Sequence, residues 1–158
     1  MKPTIVYFTG TVAEKVAAAL TIPYDSYPVE SEKGAIESVI AQLKERQPSV
    51  VIALGSYSGK DQKQLRIECA CNLRWRNRLL ESTQFPVTTI KSVLRETKFS
   101  RFTYKHGNSW CNLLSLHCVN TKELRENYNF IHIPTTFSVK EAAKELTSQL
   151  AKLSENCV

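Results

Sequence analysis

The chain has 158 residues, 42% of them hydrophobic and 23% charged, and a formal net charge of +6. That size and make-up are those of one soluble globular domain spanning residues 1–158, large enough to bury about two-thirds of the surface its unfolded chain exposes. No stretch approaches the roughly 20 apolar residues that cross a bilayer. The opening MKPTIVYFTG lacks both a signal-peptide apolar region and a small-residue cleavage site, so no membrane association and a cytoplasmic location are expected.

The five cysteines are Cys69, Cys71, Cys111, Cys118 and Cys157. An odd number in a chain without a signal peptide argues against a disulfide framework. Cys69 and Cys71 share one face of a strand, but no second pair and no well-spaced His completes a zinc set, so no metal is expected. The basic residues are spread along the chain, with a modest cluster at Arg74, Arg76 and Arg78. A solvated basic surface is the plain reading, and attraction to nucleic acid or an acidic substrate the sharper one.

In chain order, residues 4–9 (TIVYFT) read as a buried strand ended by Gly10, and the Ala-rich residues 12–20 as a helix. IPYDSYPVE, with two prolines, reads as a turn and a short edge strand. Residues 31–46 are an amphipathic helix with Ser31 as N-cap and Ile36, Val39, Ile40 and Leu43 on one face. Pro48 stops it, and SVVIALG is apolar enough for a strand covered on both sides, ended by Gly55. After a polar loop, residues 65–73 (LRIECACNL) read as one strand, and RWRNRLLESTQ as irregular or partly helical. Residues 86–96 look helical, SRFTYKHG a strand closed by Gly107, and residues 109–119 a helix. NFIHIP is a short strand, and Ser138 caps a last helix in which Val139, Ala143, Leu146 and Leu150 recur at helical spacing. Strands alternating with helices predict an α/β fold, a three-layer α/β/α sandwich around a mainly parallel, mixed sheet. Active residues in such folds gather at strand ends and the loops beyond them.

Cys111 falls at the predicted start of a helix, after the turn His106-Gly107-Asn108-Ser109-Trp110. Amide groups and partial positive charge at a helix start favour the nucleophilic thiolate and could hold an oxyanion. A small buried hydrophobe at that position is the bland alternative. His132, inside the apolar strand Phe130-Ile131-His132-Ile133-Pro134, needs a hydrogen-bond partner, either as a satisfied core histidine or as the base for a thiol. His117 lies six residues along the same helix as Cys111 and is read as facing elsewhere, and His106 is a weaker candidate base. Glu68, between Ile67 and Cys69, is either an edge residue facing water or a carboxylate that orients the histidine.

The order and neighbours of these residues resemble pyroglutamyl peptidase I (pyrrolidone carboxyl peptidase). Four segments carry the resemblance: Gln47 to Lys60, a proline-led apolar strand with a glycine turn; Ile67-Glu68-Cys69-Ala70-Cys71-Asn72; Gly107-Asn108-Ser109-Trp110-Cys111-Asn112; and Phe130-Ile131-His132-Ile133-Pro134. They cover the chain from about Ser49 to Pro134. The resemblance implies a Glu68–Cys111–His132 triad, with Cys111 as nucleophile, His132 as base and then acid, and Glu68 as orienter. It further implies substrate contacts near Phe8, Gly10, Asn72 and Gly107, an acyl-enzyme, release of an N-terminal pyroglutamyl group from a peptide with a blocked N-terminus, no cofactor, and assembly into homo-oligomers.

The sequence departs from that family in four places. The aromatic loop after the first strand is missing, because Phe8-Thr9-Gly10-Thr11-Val12 runs straight into a helix. The loop after the glutamate is cut to Leu73–Gln84, and Lys60 stands where the family has Arg. Counting back from Asn72 by the family spacing puts Ile67 rather than Glu68 at the acid position, a slip that would turn the side chain to the other face of a strand. The rival reading is a non-catalytic member that binds an acidic partner or nucleic acid through Arg74-Trp75-Arg76-Asn77-Arg78.

Overall fold

The computed structural model describes residues 2–60, 62–75, 78–86, 93–104 and 109–155, the side chains of 72–82 and 153–155 aside. Its elements are β1 (Thr4–Phe8), α1 (Val12–Ala18), β2 (Asp25–Val29), α2 (Lys33–Arg46), β3 (Val51–Tyr57), β4 (Leu65–Glu68), β5 (Ala70–Trp75), β6 (Arg78–Gln84), β7 (Ser100–Thr103), α3 (Trp110–Asn120), β8 (Tyr128–Pro134) and α4 (Val139–Glu155).

Six strands form the central sheet in the order β2-β1-β3-β8-β4-β7. β2, β1, β3 and β8 are mutually parallel, whereas β4 is antiparallel to β8 and carries β7 parallel to itself. The middle strands have side chains buried on both faces, which accounts for the unbroken apolar run Val51, Ile52, Ala53 and Leu54 and for the near-total burial of Phe130, Ile131 and Ile133. Each large aliphatic side chain removed from water here contributes about 1.5–3 kcal/mol. β2, with Pro28 in it, is an edge strand, where a missing N–H costs no ladder bond. Helices α1 and α4 pack on one face, and α2 and α3 on the other, giving the expected three-layer sandwich.

Local chemistry sets the element ends. Gly10, at φ +69°, turns the chain out of β1. Thr11 then caps α1: its Oγ1 accepts from the Ala13 N–H at 3.1 Å and donates to the Phe8 carbonyl at 2.7 Å. α2 closes at Gln47 in the left-handed region, just before Pro48. Ser138 Oγ accepts from the Glu141 N–H, 3.3 Å away, at the start of α4.

Several expectations are corrected. Ser31 is not the N-cap of α2. Glu32 occupies that position and makes no side-chain cap, so α2 begins without a capping hydrogen bond. Gly55 does not end β3, which runs on to Tyr57. The single strand expected over 65–73 is two: β4 ends at Glu68, and beyond Cys69 the chain leaves the central sheet to form a two-stranded ribbon, β5 with β6. Residues 78–84, expected to be irregular or partly helical, are the second strand of that ribbon, because antiparallel pairing with β5 supplies hydrogen bonds that local propensity does not reveal. Most of the helix expected over 86–96 lies outside the described residues, and residues 94–97 are not helical.

Candidate active site

Strand register assembles one patch on the α2–α3 face of the sheet. In the antiparallel β4–β8 pair, Arg66 lies opposite His132 and Glu68 opposite Phe130. In the parallel β3–β8 pair, Gly55 lies beside His132 and Tyr57 beside Pro134. Side chains alternate along a strand, so Arg66, Glu68, Phe130, His132, Gly55 and Tyr57 share this face, while Ile67 and Ile131 fall on the other.

Across the diagonal of this pairing, His132 Nδ1 and Glu68 Oε1 are 2.7 Å apart, and both side chains are largely buried, at 13% and 9% exposure. The ionised carboxylate can only accept, so Nδ1–H donates and Nε2 faces away from the acid. The Cys111 sulfur comes from above. It interacts with the imidazole and raises its proton affinity, and it sits so low over the sheet that a Cβ placed on Gly55 would lie 2.6 Å from it. Thus the expected thiol, imidazole and carboxylate are brought together in that order. Of the two residues the sequence offered, Glu68 meets His132, while Ile67, nearly fully buried, lies on the other face.

Two rungs fix α3, and with it the sulfur, over β8. Cys111 and Ser115 are one turn apart on the helix and stand over His132 and Tyr128, four residues apart on the strand. The second rung is the buried Ser115 Oγ to Tyr128 Oη hydrogen bond of 3.0 Å. Helix and strand therefore run in opposite directions, and the first turn of α3 hangs over the carboxyl ends of β3 and β8. Ser109, the N-cap of α3, makes no side-chain cap, which leaves the positive end of the helix directed at the sulfur.

The electrostatics follow from this geometry. Burial by itself works against the charged imidazole of His132, but the hydrogen bonds to Cys111 and Glu68, together with the negative charge on each, outweigh it and raise its pKa to about 9. Burial drives the other way, unopposed, at Cys118, whose thiol is raised well above the usual range. No two cysteines among the described residues form a disulfide, and Cys157 lies outside them.

The remaining expected site residues are distributed differently. Phe8 is buried, and alternation along β1 puts it on the same face as Gly55. Gly10 donates its N–H to Glu14 Oε2 at 2.9 Å and lines a cleft of about 460 Å³ on the α1–α4 side with Ser56 and Thr135. Asn72 is on β5, with its side chain outside the described residues, as are Gly107 and His106 altogether. His117, in α3, takes no part in the cluster; its carbonyl accepts from Thr121 Oγ1. Arg74 and Trp75 close β5 and Arg78 opens β6, and Arg76 and Asn77 lie outside the described residues.

Two site residues were not singled out from the sequence. Arg66 is 5% exposed, and its guanidinium carbon lies 3.5 Å from the centre of the Tyr57 ring. Gly55 is the floor beneath the sulfur. An arginine alternating with Glu68 in an otherwise apolar strand was the available signal for the first.

No family model matches the chain, and no curated sequence does. Solved structures do. A pyroglutamyl peptidase I from Bacillus amyloliquefaciens superposes with a TM-score of 0.68 at 18% identity, over 95% of this chain and 93% of that one. The fold is that of the pyroglutamyl peptidases. The pyrrolidone carboxyl peptidase of Fervidobacterium islandicum gives a TM-score of 0.73 at 13% identity, over 98% and 99% of the two chains. That of Thermus thermophilus gives 0.62 at 17%, over 94% and 99%. The pyroglutamyl peptidase fold thus spans nearly the whole chain.

Proposed function

We propose that this chain is a cysteine-type hydrolase that removes an N-terminal pyroglutamyl, or closely related acyl, group from peptides. The observation that carries the reading is the hydrogen bond from His132 to Glu68 together with the Cys111 sulfur that raises the proton affinity of the same ring from beneath the first turn of a helix. A core histidine needs one partner. Here one ring nitrogen is held by a buried carboxylate while the ring also meets a thiol.

In this mechanism the proton of Cys111 already rests on His132, whose pKa is about 9, and the sulfur attacks the acyl carbonyl carbon. Amide groups in the first turn of α3 stabilise the negative oxygen that forms. His132 then hands its proton to the leaving amine as the C–N bond breaks, which leaves a thioester on Cys111. Water attacks that carbonyl and loses a proton to His132, which keeps it as the acid departs and the sulfur is freed. Glu68 fixes the ring so that Nε2 faces the sulfur, and it stabilises the imidazolium at each transfer.

The pyroglutamyl preference rests on the fold likeness to proteins described as pyroglutamyl and pyrrolidone carboxyl peptidases. Without an aromatic loop after β1, the ring of the substrate loses one wall, an interaction of about 1 kcal/mol. A weaker preference for pyroglutamyl over proline and acetyl amides is the expected consequence. The deciding test measures release from pyroglutamyl, prolyl and acetylated reporter amides by the native chain and by Cys111→Ala. Turnover that Cys111→Ala abolishes supports the reading. No turnover of any of them, with Cys111 labelled by alkylating agents no faster than the other cysteines, overturns it in favour of a non-catalytic binding domain.

A further inference from the structure

The site is closed on its inner side and open at its rim. Inward from His132 the face of β8 is filled by Phe130, fully buried, with its ring centre 4.8 Å from that of the imidazole. Outward from Gly55 the next residue on the same face of β3 is Tyr57, about 7 Å further along the strand by the two-residue repeat. Its ring is partly exposed and stands 6.3 Å from the imidazole, centre to centre. That ring is also held still. The Arg66 guanidinium carbon lies 3.5 Å from its centre, and its hydroxyl donates to the Lys60 carbonyl at 2.8 Å. Gly59 packs so closely that an added Cβ would collide with the hydroxyl and the ring. The loop beyond is tied down in turn, because Gln62 Oε1 accepts from the Thr136 N–H at 3.0 Å and from Thr136 Oγ1 at 2.7 Å.

Resting on the mechanism above, we propose that Tyr57 is a specificity-determining residue on the leaving side of the site, where its ring packs against the side chain of the residue that follows the scissile bond and favours a flat, apolar one. Two constraints place that residue here. The imidazole hands its proton to the leaving amine, so the leaving nitrogen lies at His132 rather than at the amides of α3, where the negative oxygen forms. The acyl group ends the substrate and can be enclosed, whereas the leaving peptide continues and must run out to solvent. Phe130 bars the inward path, so the peptide leaves over the rim, past Tyr57.

A ring fixed before the substrate arrives loses little freedom on contact, so it sorts ligands by fit and apolar area. The hydroxyl proton of Tyr57 is already committed to the Lys60 carbonyl, so the exposed part of the ring offers apolar contact rather than a donor. Phenylalanine after the scissile bond gains from such a surface, leucine gains less, and glycine and aspartate gain nothing. Trp110, exposed at the start of α3, is the rival wall for the same side chain.

The experiment uses two reporter series: pyroglutamyl amides of phenylalanine, leucine, glycine and aspartate, and phenylalanine amides carrying pyroglutamyl, prolyl or acetyl groups. The native chain is compared with Tyr57→Leu, Tyr57→Phe and Trp110→Leu. In the native chain phenylalanine is expected to exceed glycine about ten-fold in kcat/KM. Tyr57→Leu should cut that ratio by about three-fold or more and leave the ratios among the acyl groups within about two-fold. Tyr57→Phe, which keeps the ring, should retain the native ratio, and so should Trp110→Leu. A native phenylalanine-to-glycine ratio near one overturns the proposal without any variant. An unchanged ratio in folded Tyr57→Leu, a change in the acyl ratios in its place, or the same loss in Trp110→Leu overturns it as well. Calorimetric binding of pyroglutamyl-phenylalaninamide and pyroglutamyl-glycinamide to Cys111→Ala needs no turnover. If the native chain hydrolyses nothing, yet Cys111→Ala prefers the phenylalanine peptide and loses that preference with Tyr57→Leu, the hydrolase reading falls and the subsite stands. An active chain whose ratio ignores Tyr57 does the reverse.

Discussion

Gly55 lies directly beneath Cys111, with no room between them for a methyl group: an added Cβ would meet the sulfur at 2.6 Å and the edge of the Phe130 ring at 2.7 Å. Gly55→Ala must therefore push the sulfur away from His132 or displace a fully buried aromatic. The expected result is a loss of stability of about 1–3 kcal/mol, as overpacking costs elsewhere. Reporter hydrolysis should fall by much more than that loss predicts. Urea unfolding and the rate of alkylation of Cys111, measured on the same preparation, check both halves.

Glu68→Gln keeps the shape of the acid and removes its charge. An amide can still accept from Nδ1–H, but it does not stabilise the imidazolium, and if the amide nitrogen turns toward the ring it favours the wrong tautomer. The expected outcome is a fall in kcat of at least about 100-fold with little change in KM, together with a lower His132 pKa. A Glu68→Gln chain with native kcat would remove the carboxylate from the mechanism.

The raised pKa of His132 gives stability a defined pH dependence. In the unfolded chain the ring titrates near 6.5, and in the folded chain near 9. The folded state therefore binds this proton more tightly. Its contribution is full below about 6.5, shrinks as the pH rises, and is gone above about 9. The native chain should lose more stability between pH 6 and pH 9.5 than His132→Gln does, as read from urea midpoints at the two values. Reporter hydrolysis should also decline above about pH 9, where the ring no longer holds a proton for the leaving amine.

The second rung of α3 over β8 can be removed by itself. Tyr128→Phe deletes the hydroxyl that meets Ser115 and leaves a buried Ser115 hydroxyl without that partner, a loss of about 1–3 kcal/mol. The helix that carries Cys111 would then be held less firmly. A fall in kcat several times larger than in a surface control such as Lys144→Ala is expected.

The sequence reveals the outline of this site more readily than its assembly. Strands such as Thr4–Phe8 and Val51–Tyr57 are legible because β-branched and aromatic residues run unbroken between glycine and proline, and α4 because Val139, Ala143, Leu146 and Leu150 repeat with the helical period. Cys111 and His132 stand out as polar or reactive groups in apolar segments. What could not be read is the pairing of β4 with β8, because residues 64 positions apart become neighbours only through the order of strands in the sheet. The same non-local pairing hid β6, whose RLLESTQ has no clean alternation. It also hid Arg66, which looks like an ordinary surface cation until Tyr57 is placed 3.5 Å from it.

The abrupt departure of the chain from the central sheet after Cys69 separates two kinds of sequence change. Residues up to Glu68 are locked against β8 on one side and β7 on the other, so a single insertion or deletion there would rotate the carboxylate out of reach. Beyond Cys69 the ribbon has its own pairing, and its far end can grow or shrink without disturbing the acid. A change in the length of that far end is thus expected to leave the chemistry at Glu68 in place.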